Sequence, residues 1–197
     1  MKTSLQWLVI AILCTIYLAA LWAVLCPNVT SRYKAYFVDR TSSDWNPVRY
    51  AGRPEEGINF SQPGLPEWVD TTRGLSFRQT WGRWTDGNLA KIPAVLFVQP
   101  FKGPICMELT AGPAPSMAGK FFDIRMGDQT KTLQLGPNGY SRFRAPITLT
   151  QGADKLEFIL PRRLPVERGT LDDRRVGLAL VALRITPGGC PNDGFPP

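Results

Sequence analysis

The sequence predicts an all-β fold: a jelly-roll-like β-sandwich of about eight or nine strands, preceded by one N-terminal transmembrane helix. Three observations carry that expectation. Glycine and proline occur 18 times each, which favours turns over long helices. Short apolar runs recur between the turns, roughly every 10–15 residues. Within one run, Ile105, Met107 and Leu109 alternate with Cys106, Glu108 and Thr110, the period-two pattern of a half-buried strand.

The first element is the helix. Residues 5–25, LQWLVIAILCTIYLAALWAVL, carry no charge and are long enough to cross a hydrocarbon core of about 30 Å. Trp7 and Trp22 lie near its two ends, where aromatic rings favour the membrane interface. Pro27 stops the helix. Residues 1–27 are thus expected to be a retained signal anchor. A cleaved signal peptide is the alternative, but the apolar run is long for one and no small-x-small cleavage site follows it. Residues 28–56 are polar with scattered aromatics and read as a tether. Residues 57–190 form the sandwich, with strands expected at 58–60, 74–84, 92–99, 105–111, 120–127, 130–136, 141–149, 154–160 and 174–186. Gly127-Asp128, Pro137-Asn138-Gly139 and Gln151-Gly152-Ala153-Asp154 supply turns. Residues 191–197 are a C-terminal tail.

The formal charge is +7. That excess suits anionic partners, or simply keeps the protein in solution, because the charges form no long run. The chain has no histidine. Its absence removes Ser-His-Asp and Cys-His nucleophile systems and every His-based metal site. Cys14 lies in the apolar segment, Cys26 at its end, Cys106 in a strand-like run and Cys190 in the tail. No CxxC spacing occurs, so zinc is not expected, and nothing calls for a cofactor. Cys106 and Cys190 either pair, pinning the tail to the sandwich, or are two unrelated thiols. Lys2 alone precedes the helix while Arg32, Lys34 and Arg40 follow it, so charge alone leans toward a cytoplasmic C-terminal part.

Two segments resemble a known family. One runs Ile58-Asn59-Phe60, Pro63-Gly64-Leu65-Pro66, Gly74-Leu75-Ser76 and Trp81-Gly82-Arg83-Trp84-Thr85-Asp86-Gly87. The other is Asp172-Asp173-Arg174-Arg175-Val176-Gly177-Leu178-Ala179-Leu180. Together they resemble the carbohydrate-binding-module-like β-sandwich of uncharacterised function found at the C-termini of bacterial membrane phosphoglycerol transferases and glycosyltransferases. The resemblance covers residues 57–186. It implies a non-catalytic accessory protein of the bacterial inner membrane, single-pass, with its domain in the periplasm. That protein binds envelope glycan or docks on a glycan-modifying membrane enzyme such as a glycosyltransferase or phosphoglycerol transferase. In the family the domain hangs on a large catalytic protein; here it is expected to stand alone behind one helix, which puts transferase activity in doubt.

Trp81, Arg83, Trp84 and Asp86 are the candidate glycan-binding residues: flat aromatic faces for sugar C–H groups, with a planar cation and a carboxylate for hydroxyls. The alternative is structural, since alternation puts Trp81 and Trp84 on opposite faces of a strand and at least one in the core. Arg162, Arg163, Arg174 and Arg175 are candidates for an anion-binding edge, or form local ion pairs beside Asp172 and Asp173. Two further functions stay open. A glycosidase needs only two carboxylates at a set separation, and Glu108 and Glu157 lie on expected strands. A purely structural subunit of a membrane complex needs no sugar contact. No nucleic-acid motif is present.

Overall fold

The structure is a computed structural model and describes residues 2–25, 33, 34, 36, 48–161 and 175–190. Most of the expected tether and the tail at 191–197 lie outside the described residues. The elements run α1 (Lys2–Leu25), β1 (Arg49–Tyr50), β2 (Ile58–Asn59), β3 (Leu65–Pro66), β4 (Val69–Arg73), β5 (Arg83–Asp86), β6 (Ala94–Pro113), β7 (Phe121–Met126), β8 (Gln129–Gln134), β9 (Ser141–Ile159) and β10 (Val176–Pro187). A 3-10 turn, Pro115–Met117, follows β6. The protein is thus mostly β, with one eight-stranded sheet and a two-stranded parallel pair of β1 and β3.

Two long strands organise the large sheet. β6 has 20 residues and β9 has 19, well beyond the usual strand length of about 5–6. They pair antiparallel in two stretches, Ala94–Leu96 with Lys155–Glu157 and Gly103–Ala111 with Ser141–Leu149. Between them the register shifts on both sides of Phe101. Pro100 sits in that interval on β6, and Gly103 and Pro104 open the second stretch; prolines and glycines fit a bend or bulge but not a regular central strand. Gly152 of β9 lies against it: a Cβ there would stand 3.1 Å from the Pro100 Cβ. One half-sheet therefore contains β4, the start of β6, the end of β9, β7 and β8. The other contains the start of β9, the end of β6, and β10 flanked by β2 and β5. The sequence expectation of separate strands at 92–99 and 105–111, and at 141–149 and 154–160, is corrected here. Each pair is one strand, bent where Gly and Pro read as a stop.

Both half-sheets give one face to a single core. Val95, Ile124, Met126, Leu156 and Phe158 from the first half join Met107, Leu109, Ile147, Leu180 and Leu183 from the second in one buried cluster. The inward set on β10 changes from even to odd between Leu180 and Leu183, because a bulge between Leu180 and Ala182 inserts one residue. Alternation therefore leaves each half-sheet an outer face free of the core.

Cys106 and Cys190 are disulfide-bonded, 84 positions apart in sequence. The Gly188 N–H donates to the Pro104 carbonyl at 2.9 Å, one step beyond the Pro187–Ile105 pair, and the bridge then brings Cys190 back to Cys106 on the outer face. Residue 14 is a free cysteine on α1. Every described side chain of α1 from Ile10 to Trp22 is exposed. Among the described residues no helix is long and apolar enough to cross a membrane, so the expected transmembrane span is not a result of the structure.

The disulfide closes a long loop, so losing it should cost about 2–4 kcal/mol. Cys190→Ser is expected to lower the urea midpoint accordingly and to abolish the mobility difference between reduced and non-reduced gels. Identical mobility of the unmodified chain under both conditions would remove the bridge.

Candidate functional site

The site grows from β5, a short strand at the edge of β10. Arg83 lies opposite Leu180 and Trp84 opposite Ala179. Opposed residues share a face, and Leu180 is core. Arg83 therefore points inward and is only 2% exposed; its guanidinium donates to the Ser76 carbonyl at 3.3 Å. Asp86 is fully buried. Its carboxylate accepts from the Tyr36 hydroxyl at 2.5 Å and from the Asn88 N–H at 2.9 Å. Thr85 is buried as well, and its hydroxyl accepts from the Leu178 N–H at 2.8 Å. The polar members of the motif thus hold the hairpin, beyond reach of a surface ligand.

The two tryptophans behave differently. Simple alternation sets them on opposite faces, but their rings meet at 5.0 Å in a T-shaped contact. Gly82 is the cause. Its φ of +151° is a conformation that side chains disfavour, and a Cβ there would come within 2.1 Å of the Leu180 carbonyl oxygen. The chain reverses its facing at that residue and brings Trp81 back to the outer side.

A third ring completes the patch. Trp84, Ala179 and Gly112 are in register across β5, β10 and β6. Tyr140 precedes Ser141, which pairs with Ala111, so it extends the same row onto β9. A Cβ on Gly112 would stand 2.8 Å from the Tyr140 ring, so glycine lets the ring lie on the sheet. Trp81 sits 6.2 Å from Tyr140. Three aromatic rings thus form a platform seated on two small buried residues, with Tyr140 54% exposed and both tryptophans half-buried. Sequence reasoning found Trp81 and Trp84 and missed Tyr140, Gly112 and Ala179. Only the Pro137-Asn138-Gly139 turn just ahead of Tyr140 marked its place.

Charge lies next to the platform. Glu108 of β6 stands opposite Arg144 of β9 and Arg184 of β10. Its Oε2 accepts from Arg142 Nη2 at 2.8 Å, with Arg184 Nη1 3.8 Å away, and its Oε1 lies 3.4 Å from Arg144 Nε. A second cluster occupies the outer face of the other half-sheet. There Glu157 accepts from Arg125 at 2.7 Å and pairs with Lys155 at 2.7 Å. Burial works to raise the Glu157 carboxyl, but the bonds and charges of Lys155 and Arg125 outweigh it and hold the group below its ordinary value. The two carboxylates that sequence singled out therefore face away from each other on opposite sides of the core. Of the expected anion-binding edge, Arg162, Arg163 and Arg174 lie outside the described residues; Arg175 is exposed, and its carbonyl accepts from the Gly87 N–H at 2.9 Å.

Residues 44–187 match the family described as a domain of unknown function, DUF7024. The chain belongs to that family. The resemblance drawn from the Trp81–Gly87 run agrees with it. The chain is also 25% identical over 158 residues to the phosphoglycerol transferase I of Escherichia coli strain SE11 and to that of Shigella boydii serotype 18. Each match covers 79% of this chain and 20% of the relative, so this DUF7024 chain spans about a fifth of the length of the curated relatives it matches. Among solved structures it is similar to a family 29 carbohydrate-binding module, at 12% identity and a TM-score of 0.41 over 71% of this chain and 91% of the other. It is also similar to the cycloalternan-forming enzyme of Listeria monocytogenes, at 14% identity and a TM-score of 0.36 over 59% of this chain and 11% of the other. Overlaps that loose carry no argument about function.

Two outcomes follow from the geometry. Arg83→Ala removes a buried side chain from a wall of the core and should cost about 3 kcal/mol in urea unfolding, whereas Tyr140→Ala should cost less than about 1 kcal/mol. Equal losses would put Tyr140 in the framework. Glu157 has a folded pKa below its unfolded one, so its stabilisation is present above the ordinary carboxylate range and is lost as pH falls through the lower folded value. Acid titration of stability should therefore be shallower in Glu157→Gln over that window, and identical titrations would remove the pair from the stability of the sheet.

Proposed function

We propose that this chain is a non-catalytic, membrane-tethered accessory protein of the bacterial envelope that binds glycan on the platform of Trp81, Trp84 and Tyr140. The observation that carries the reading is the platform itself. Aromatic faces at the surface offer flat apolar area with a polar rim, which suits the C–H face of a pyranose. The rings stand on strands and not on loops, and a rigid support keeps their geometry fixed. Relatives named phosphoglycerol transferase I carry the matching segment within a much longer chain, which supports a role beside glycan chemistry. A glycan-modifying membrane enzyme is the partner this implies.

The tether is part of the proposal. α1 has 24 residues, and its described side chains are exposed around the whole helix, including Leu13, Tyr17, Leu18 and Trp22. A helix that is apolar all round needs an apolar surrounding, and residues 5–25 carry no charge. The Cys106–Cys190 bridge favours an oxidising compartment, hence the periplasmic side of the inner membrane, against the lean of the flanking charges. A carboxylate-dependent glycosidase is the less supported reading. It needs two carboxyls roughly 5–9.5 Å apart, and Glu108 and Glu157 lie on opposite outer faces, each engaged with cations.

Two measurements test this. A reporter active only outside the cytoplasm, fused after Pro197, should be active; signal from a cytoplasmic reporter alone would reverse the orientation. The full chain in detergent micelles should bind neutral glucan oligosaccharides weakly, and Tyr140→Ala or Trp84→Ala should weaken that binding about tenfold, equivalent to about 1.4 kcal/mol. Tyr140→Ala should do so with an unchanged melting temperature. Binding that survives both substitutions would end the role of the platform. A chain that binds no glycan would be a structural subunit.

A further inference from the structure

We infer that the glycan taken by the platform carries a negatively charged substituent, and that Arg142 and Arg184 receive it. The inference rests on the glycan reading and names the ligand class more narrowly. The outer face of the second half-sheet can be followed row by row from the register. The aromatic row is Trp84, Ala179, Gly112 and Tyr140. Ala182, Thr110 and Arg142 form the next outward row, and Arg184, Glu108 and Arg144 the one beyond it. Arg142 lies two residues from Tyr140 on the same face of β9, about 7 Å along the strand. The Arg184 row lies about 13 Å from the aromatic row. A short oligosaccharide stacked on the rings and running along the face passes directly over these side chains.

Among the described residues, Arg142 and Arg184 both turn to the one carboxylate of Glu108. The side chains of Arg142 and Arg184 are 62% and 50% exposed. Each guanidinium has five donors in a planar fork and no acceptor, while the Glu108 carboxylate has only two oxygens to offer. Glu108 holds the forks in place, and their remaining edges face outward. A planar fork matches phosphate or carboxylate oxygens two at a time, whereas a neutral sugar hydroxyl gives it no charge to neutralise. Among the described residues, the face of β7 that carries Arg125 of the Arg125–Glu157–Lys155 cluster offers a single exposed ring, Phe121, in place of a row of three.

The test uses the full chain in detergent micelles, with neutral glucan oligosaccharides, the same oligosaccharides bearing phosphate monoesters, and inorganic phosphate. The phosphorylated glucan should bind about tenfold more tightly than the neutral one, and the gap should shrink as ionic strength rises. In Arg142→Gln and Arg184→Gln the gap should close while neutral binding is retained; Arg142→Lys should restore part of it. Equal binding of both glucans by the unmodified chain, or a gap that survives both Gln variants, overturns the inference and leaves the glycan reading intact. Phosphate and phosphorylated glucan binding that depend on Arg142 and Arg184 but not on Tyr140 keep the anion site and overturn the platform. No binding of any probe overturns both. Melting temperatures within a few degrees of the unmodified chain show that each variant is folded.

Discussion

The antiparallel ladder between β6 and β9 runs through both halves of the large sheet, from Ala94 and Glu157 at one end to Ala111 and Ser141 at the other. Each half-sheet alone has one apolar face and no layer to cover it. Because both strands bend at the same level, where Pro100 meets Gly152, each half covers the other and one core serves both. The remaining strands attach to this pair. β4 pairs with β6, β7 with β9, and β10 with β6, and β2, β5 and β8 add at second remove. The partners are distant in sequence, so the ladder closes long loops before its apolar contacts compensate. The disulfide reinforces the same region by tying the end of β10 to the middle of β6.

A core of this kind leaves the outward residues free to specialise. In a strand, neighbours one position apart meet different surroundings. Arg83 is enclosed beside Leu180, and Trp84, the next residue, stands in an aromatic patch at the surface. The same separation holds on β6, where Met107 and Leu109 are core and Glu108 between them gathers arginines. Changes on the outer face therefore alter the surface with less effect on the core than changes on the inner face. The exception is Gly82, whose backbone contact with Leu180 links the two: the position of Trp81 depends on the packing of β5 against β10.

The all-β class, most strand positions and the Cys106–Cys190 pairing option were legible because period-two alternation and turn residues are local signals. Three things were not. Pro100, Gly103, Pro104 and Gly152 read as interruptions, since a local pattern does not distinguish a turn from a bend within a paired strand. β4, with buried Val69 and Thr72, carries too little apolar sequence to stand out. The platform was half visible: two tryptophans three residues apart announce themselves, but Tyr140 is far away in the chain and joins them only through the register of β6 with β9. The arginine cluster has the same origin, with Arg142, Arg144 and Arg184 drawn from two strands to a glutamate on a third. The buried state of Arg83 and Asp86 was hidden for the opposite reason, because charge in a sequence suggests a surface and only the pairing of β5 with β10 takes these two inside.

The hydrogen bond between Tyr36 and Asp86 sets a leash length. Tyr36 is buried against the domain, eleven steps along the chain from Leu25, the last residue of α1. A fully extended chain covers at most about 3.6 Å per residue, so the base of the aromatic hairpin stays within about 40 Å of the end of the helix. With α1 in a bilayer, the domain cannot roam as a long flexible tether would allow. On the proposed reading it would reach only a thin layer above the lipid, where a glycan attached to a membrane enzyme would be at high effective concentration, and longer polymers beyond that layer would be out of reach.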